Sequence, residues 1–273
     1  MKPVKKAALL HSMCSVGKAS LTNMIPVLST MGIEACPIPT AILSTHTGGY
    51  GMPAKQEISK EYIKECADHF KENKVTFDLI FIGYLGNPEM VFAIQYFVEQ
   101  FPEATVFLDP IMGDHGTFYK GLGEEYAHAF QTLFPFVDVI VPNMTEAFVL
   151  TKRKYHEKCS KSEYIQICKT IHDFGIKTVI LTSVLDEEKN SGIVLSESQN
   201  PDMIVAKREP IEFHGSGDLF DAVLIGTYLQ NKSWHEAVVN AHHFVSACIQ
   251  NSASFEYKKR EGLMIENNLY LLV

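Results

Sequence analysis

Gly215-Ser216-Gly217-Asp218 is the stretch whose residue types and spacing could do chemistry. Two glycines bracket a hydroxyl and an aspartate follows. An apolar run then begins, with Phe220, Val223, Leu224, Thr227 and Tyr228 at helical intervals, the pattern of an amphipathic helix packed on a core. Glycines ahead of a helix let backbone N–H groups turn towards a ligand, and the unpaired N–H groups of a first helical turn favour an anion. The aspartate has two readings. It complements the helix dipole, or it is a carboxylate held beside a phosphate site, as phosphoryl transfer requires.

Other stretches offer partners for such a site. Asp109-Pro110-Ile111-Met112-Gly113-Asp114 places two carboxylates on one loop, either an ordinary acidic turn or a set suited to Mg²⁺ with a nucleotide. In Pro142-Asn143-x-x-Glu146 the asparagine and glutamate read as a reciprocal helix cap, and that geometry also aims both at a strand-end cleft. Thr45-His46-Thr47 could hydrogen-bond a small polar ring or simply be solvated. It lies in a hydroxyl- and glycine-rich segment, 44–53, that reads as a flap, with 48–51 as its candidate lid.

Three alternatives fail on spacing. Gly17-Lys18 lacks the preceding glycine and the following hydroxyl of a phosphate-binding P-loop, since Ser12 and Ala19 stand there. Phe220 occupies the third glycine position of a dinucleotide fingerprint. His242 and His243 are adjacent, so on a helix they diverge by about 100°, and zinc is not expected.

The elements that must position these residues alternate. Strands are expected at 7–10, 34–39, 79–82, 104–108, 137–141 and 178–181, with helices at 19–31, 59–74, 89–100 and 123–134. Ser160-x-x-Glu163 and Ser233-x-x-Glu236 are capping boxes that open further helices, the second over 233–251, with the helix after the glycine loop over 218–230. The helix opened at Ser160 is expected to end at Gly175, and the one over 59–74 carries Tyr62, Ile63, Cys66 and Phe70 on one side. Residues 192–196 and 203–207 read as an antiparallel pair turned by Asn200-Pro201-Asp202, and 113–116 as a loop. This order predicts a single α/β domain over 1–273, a doubly wound, mostly parallel sheet with helices on both faces. His11-Ser12, Gly83-Tyr84, Asp109, Asn143, Thr182 and the glycine loop all follow strand-like runs, and ligands of open α/β sheets bind at that end.

Composition narrows the classes. The chain has 273 residues, 46% hydrophobic and 21% charged, an ordinary globular balance. Lys plus Arg number 24 against 32 acidic residues, a net charge of -8 without the basic field of a nucleic-acid binder. Six scattered cysteines without a C-x-x-C pair suit a reducing compartment. Lys5 and Lys6 before an apolar run imitate a signal peptide, but His11 and Ser12 cut the run short, and no stretch reaches membrane-span length. The expectation is a cytoplasmic protein with no membrane or nucleic-acid partner.

Together these residues resemble the ribokinase-like superfamily, and within it the pyridoxal (vitamin B6) kinase branch. The resemblance runs through Ser12, Ser44-Thr45-His46-Thr47-Gly48, Gly83-Tyr84, the 109–114 run with Tyr119, Asn143 with Glu146, Thr182-Ser183 and the glycine loop. It implies ATP-dependent phosphorylation of the 5′-hydroxymethyl of pyridoxal, pyridoxamine or pyridoxine. Asp218 would be the base, and the N–H groups of Gly215, Ser216 and Gly217 the anion hole. Ser12, Thr45, His46, Thr47 and Tyr84 would line the ring pocket. Asp114 and Glu146 would serve Mg–ATP, with Tyr119, Asn143, Thr182, Ser183 and Phe213 contacting nucleotide. Asp109 and Thr182 would serve a monovalent cation, K⁺ or Na⁺, a site weakened where Val141 replaces a hydroxyl. Ser216 stands for the usual threonine. A homodimer is implied. The rivals are a hydroxymethylpyrimidine kinase of the same fold and a B6-binding protein without turnover.

Overall fold

The central strands are apolar on both faces, so each strand feeds two cores. The computed structural model describes residues 4–185, 191–197, 200–206, 209 and 211–273. The first half runs β1 (Lys6–Val16), α1 (Leu21–Thr30), β2 (Glu34–Thr45), β3 (Lys55–Glu57), α2 (Lys60–Glu72), β4 (Leu79–Ile82), α3 (Met90–Gln100) and β5 (Thr105–Leu108). A hairpin, β6 (Gly113–Asp114) and β7 (Thr117–Phe118), precedes α4 (Glu124–Gln131), β8 (Val139–Ile140), α5 (Met144–Leu150) and α6 (Lys161–His172). The chain continues through β9 (Thr178–Leu185), β10 (Ser191–Glu197), β11 (Asn200–Val205), α7 (Ser216–Leu229) and α8 (Trp234–Ala253).

Nine strands form one sheet in the order β11-β10-β9-β8-β5-β4-β1-β2-β3. The pairs from β9 through β8, β5, β4 and β1 to β2 are parallel, and β3, β10 and β11 add antiparallel edges. Ala7, Leu9, Leu79 and Phe81 face one core with α1, α7 and α8. Ala8, Leu10, Ile80 and Ile82 face the other with α2 to α6. The chain leaves β1 for β2 on one side and returns as β4 on the other, so the crevice at the ends of β1 and β4 is the switch point where such sheets bind ligands.

The expected doubly wound sheet is present, with several local differences. β1 runs on through Val16 rather than stopping at Leu10, with a register shift between His11 and Met13. β2 runs to Thr45, so Ser44 and Thr45 are strand residues and only the rest of 44–53 is free to act as a flap. Burial alternates along these extensions, but exposed Met13, Val16 and Ile42 are apolar, so no apolar–polar alternation in the sequence announces them. The 113–116 loop is the tight β6–β7 hairpin. Asn200, Pro201 and Asp202 pair with Glu197, Ser196 and Leu195 instead of turning the chain. Pro201 is tolerated because β11 is an edge strand. Lys207, the expected end of that strand, lies outside the described residues. Tyr62 is exposed on α2, which buries Ile63 and Ala67. The helix α7 is not amphipathic: Leu219 to Thr227 are all buried, because α1 and α8 enclose it.

Candidate active site

Asp218 lies in the first turn of α7, whose N-cap is Gly215 at φ 78°. Its two carboxylate oxygens are separately held. Oδ2 accepts the Ser20 backbone N–H at 2.7 Å, and Oδ1 lies 2.9 Å from His11 Nε2. Burial alone would lift this carboxyl. The hydrogen bond from His11, with the Ser20 N–H, outweighs that and holds it below the usual carboxylate range. The result is an anchored carboxylate at a helix start that offers N–H groups to an anion.

The glycine loop is shaped by close approach. A Cβ on Gly215 would meet the Lys18 carbonyl oxygen at 2.3 Å and Asn23 Nδ2 at 2.7 Å, while one on Gly217 would meet nothing within 4 Å. Asn23 Nδ2 donates to the Gly215 carbonyl at 3.0 Å. The start of α1 and the glycine loop therefore interlock, and the open side at Gly217 is left for a ligand. Lys18, the residue of the rejected P-loop, reaches Glu266 Oε2 at 2.8 Å instead of the loop.

Asn143 and Glu146 form the full capping box at the start of α5, as their spacing predicts. They also pin the neighbouring loop. Glu146 Oε1 accepts Met112 N–H at 3.1 Å and Oε2 accepts Asn143 N–H at 2.9 Å, while Asn143 Nδ2 donates to Gly113 O at 2.8 Å. Burial, then the nearby Asp109, pushes the Glu146 carboxyl well above its ordinary range against those N–H bonds. Burial also lifts Asp109 to about 7; hydrogen bonding from Asp221 opposes that rise and the Asp218 charge adds to it. Asp221, one turn after Asp218, is 1% exposed with Oδ2 lacking a partner, and burial plus Asp109 raises it well above its usual value. Tyr119 reaches into the same acidic region. Although the side chain is 42% exposed, desolvation at its hydroxyl, then Glu146 and Asp114, pushes that hydroxyl up.

Among the described residues no lysine or arginine forms an ion pair with Asp109, Glu146 or Asp221. Nor do three His, Cys, Asp or Glu side chains converge to hold a metal alone. Buried carboxylates lacking a cationic partner fit a hard cation completed by water and phosphate oxygens. Asp114 fits less tightly, being 47% exposed with Oδ1 accepting the His115 N–H.

The remaining expected residues divide. Thr182 and Ser183 lie within β9, Thr182 donating its N–H to Pro142 O at 3.0 Å and Ser183 taking φ 58° beside it. Ser12 is buried, its hydroxyl 2.8 Å from that of Ser20. Tyr84 is half-buried at the end of β4, and burial raises its hydroxyl. Thr45 ends β2 opposite Val16, and Thr47 is exposed. Phe213 packs in the core beneath the loop, 6% exposed against Tyr257, so its ring is not free to lie on an adenine.

His46 differs from its expected place beside a ring. Its Nδ1 accepts the Gly48 N–H at 3.0 Å, which leaves Nε2 to donate to the Arg260 carbonyl at 2.7 Å. It folds the flap onto His214, 4.8 Å away between ring centroids, and onto the carboxyl-terminal segment. Ser20, Asp221, His214 and Arg260 have no role in the sequence reading, and His11 has only its place at a strand end. Asp221 had a legible signal, its three-residue spacing from Asp218 on one helix. For His11 the strand end was visible but its partner, 207 residues away, was not.

A phosphomethylpyrimidine kinase family model matches residues 17–264. A Bacteroides thetaiotaomicron protein, provisionally named a phosphomethylpyrimidine kinase and crystallised with pyridoxal, is 33% identical. It superposes with a TM-score of 0.91 over 98% of this chain and 96% of its own. The pyridoxal kinase of Lactobacillus plantarum is 26% identical, with a TM-score of 0.90 over 98% of this chain and 96% of its own. Ovine pyridoxal kinase (Ovis aries) is 29% identical over 221 residues, 72% of this chain and 69% of that protein. The chain thus belongs to the phosphomethylpyrimidine kinase family and has a ribokinase-like α/β fold.

Proposed function

We propose that the protein is a pyridoxal kinase, transferring the γ-phosphoryl of ATP to the 5′-hydroxymethyl oxygen of a B6 vitamer. The observation that carries the reading is the Asp218 carboxylate, bonded on both oxygens beside the open glycine loop of α7. The relatives named pyridoxal kinase, and the Bacteroides neighbour crystallised with pyridoxal, support the substrate class.

In this mechanism the ring sits at the β1–β4 crevice, near Tyr84 and the turn of the flap. Asp218 orients the hydroxymethyl O–H and accepts its proton as the oxygen–phosphorus bond forms and the bond to the ADP oxygen breaks. A depressed carboxylate is a weak base, and a loose phosphoryl transition state asks for little more. The N–H groups at Gly215, Ser216 and Gly217 meet the charge on the transferring group. Asn143, Thr182, Ser183 and Tyr119 face the nucleotide, with Glu146 and Asp114 placed to hold Mg²⁺ and Asp109 and Thr182 a monovalent cation. Such ions neutralise phosphate charge when bound. The flap around His46 excludes water so that ATP is not hydrolysed.

The chain works as a homodimer in this reading, supported by exposed Met13, Val16, Ile42 and Met52 on the β1–β2 arm and flap. Six free cysteines support a reducing, cytoplasmic setting. ADP release on a panel of pyridoxal, pyridoxamine, pyridoxine and hydroxymethylpyrimidine tests the assignment. Turnover of at least one B6 vitamer is expected. Turnover of the pyrimidine alone would replace the substrate class and keep the family.

A further inference from the structure

His11 is the most buried polar group touching the catalytic carboxylate, 1% exposed near the middle of β1. Its ring is fixed on every side. Phe81 packs edge-on at 5.7 Å between centroids, and Gly83 leaves the space, since a Cβ there would fall 2.8 Å from Nδ1. The register shift between His11 and Met13 is a local irregularity of the kind that re-aims a strand side chain beside a site.

Its hydrogen bonds determine the tautomer. The Tyr84 backbone N–H donates to Nδ1 at 3.0 Å, so the ring proton is on Nε2 and is donated to Asp218 Oδ1. A continuous chain thus runs from the Tyr84 backbone through His11 to Asp218, whose other oxygen is fixed by Ser20 N–H. Tyr84 belongs to the ring pocket and Asp218 to the phosphoryl site, so the imidazole is the rigid spacer between the two halves of the reaction.

We propose that His11 is the positioning residue of the catalytic base, setting the Asp218 rotamer relative to the ring pocket by its pair of hydrogen bonds. It exchanges no proton in the reaction; its Nε2–H stays shared with Asp218 while the carboxylate takes the substrate proton. The inference rests on the kinase reading above. A buried isostere without the bonds would leave Asp218 tethered by Ser20 alone, free to turn about that contact. Misplacing a reacting group by about 1 Å costs roughly 10²-fold in rate.

The test compares His11→Leu with His11→Gln, whose amide carries an acceptor for Tyr84 N–H and a donor for Asp218. Wild type and both variants are assayed for kcat and KM with ATP and the best B6 vitamer, with thermal melting and ADP binding as fold checks. His11→Leu is expected to lose roughly 10²-fold in kcat, with KM and ADP affinity within about threefold. His11→Gln is expected to recover most of the loss. A kcat within about twofold of wild type in a folded His11→Leu protein would overturn the proposal. So would a loss carried by KM, or one that His11→Gln fails to recover while folding and binding ADP. If the Leu variant does not fold, the Gln variant decides alone: its kcat must stay within about tenfold of wild type. Wild type inactive on every B6 vitamer would instead sink the pyridoxal kinase assignment on which the inference rests.

Discussion

Two glycines separated by a single residue should respond to the same methyl group in opposite ways. At Gly215 the backbone has φ 78°, and an added Cβ would fall 2.3 Å from the Lys18 carbonyl oxygen and 2.7 Å from Asn23 Nδ2. A left-handed conformation costs an L-residue about 1–2 kcal/mol, and forcing atoms into a packed site typically adds about 1–3 kcal/mol. Gly215→Ala should therefore cost roughly 2–5 kcal/mol, or a Tm fall of about 5–15 °C at a few degrees per kcal/mol. At Gly217 an added Cβ meets nothing within 4 Å. Alanine there suits the helix, so the Tm of Gly217→Ala should hold or rise by a degree or two, roughly. Its methyl group nonetheless occupies the open side of the loop where phosphoryl oxygens approach, and kcat should fall by about 10²-fold, the scale of one lost oxyanion donor. Scanning fluorimetry and ADP release measure both. An unchanged Tm in Gly215→Ala would refute the interlock with Lys18. A kcat within twofold in Gly217→Ala would refute phosphoryl binding at that face.

Asp221→Asn removes a buried carboxyl whose proton is held tightly in the folded state. Because folding raises its pKa, the ionised form opposes folding, and stability declines as pH rises from the unfolded value through the folded one. The variant should melt higher than wild type at pH 8 in buffer free of metal cations. The gain should shrink near pH 5, where Asp109, lifted to about 7, and Asp221 both keep protons. A difference independent of pH would refute the acid pair. At the flap, Gly48→Ala would place a methyl 2.3 Å from the His214 ring. That ring can rotate away, so Tm should change by less than about 2 °C, while vitamer KM rises severalfold; an unchanged KM would separate the flap from the ring pocket. Ser233→Ala deletes the cap of α8 and should cost about 1 kcal/mol in denaturant unfolding.

The parts of the fold that were legible are those where one local force decides. Leu79 to Ile82 is apolar throughout and flanked by helices, so it can only be a strand buried on both faces. The Asn143–Glu146 and Ser233–Glu236 spacings close their own helix turns and form as their chemistry demands. Where tertiary pairing decides, local patterns mislead. Met13 and Ile42 stay exposed, yet β1 and β2 continue because each pairs with the other. Asn200, Pro201 and Asp202 have turn chemistry but pair with β10 at a sheet edge. Much the same holds at the site. Asp218 was legible as a carboxylate at a helix start, where either a dipole partner or a base would stand. What separates those readings is His11 and Ser20, about two hundred residues upstream, and the acid pair with Asp109. His46 had the residue type for a ring contact, but both its nitrogens serve the flap.

The central claim is that Asp218, held by His11 and Ser20, is the base of a B6-vitamer kinase. The most direct measurement is single-turnover formation of pyridoxal 5′-phosphate from pyridoxal and ATP, wild type against Asp218→Asn, with ADP and pyridoxal affinities measured alongside. The account predicts product in the wild type and a loss of about 10²–10⁴-fold in the variant, the worth of a general base, with both affinities retained. Comparable product formation by Asp218→Asn, or none by wild type, would contradict it.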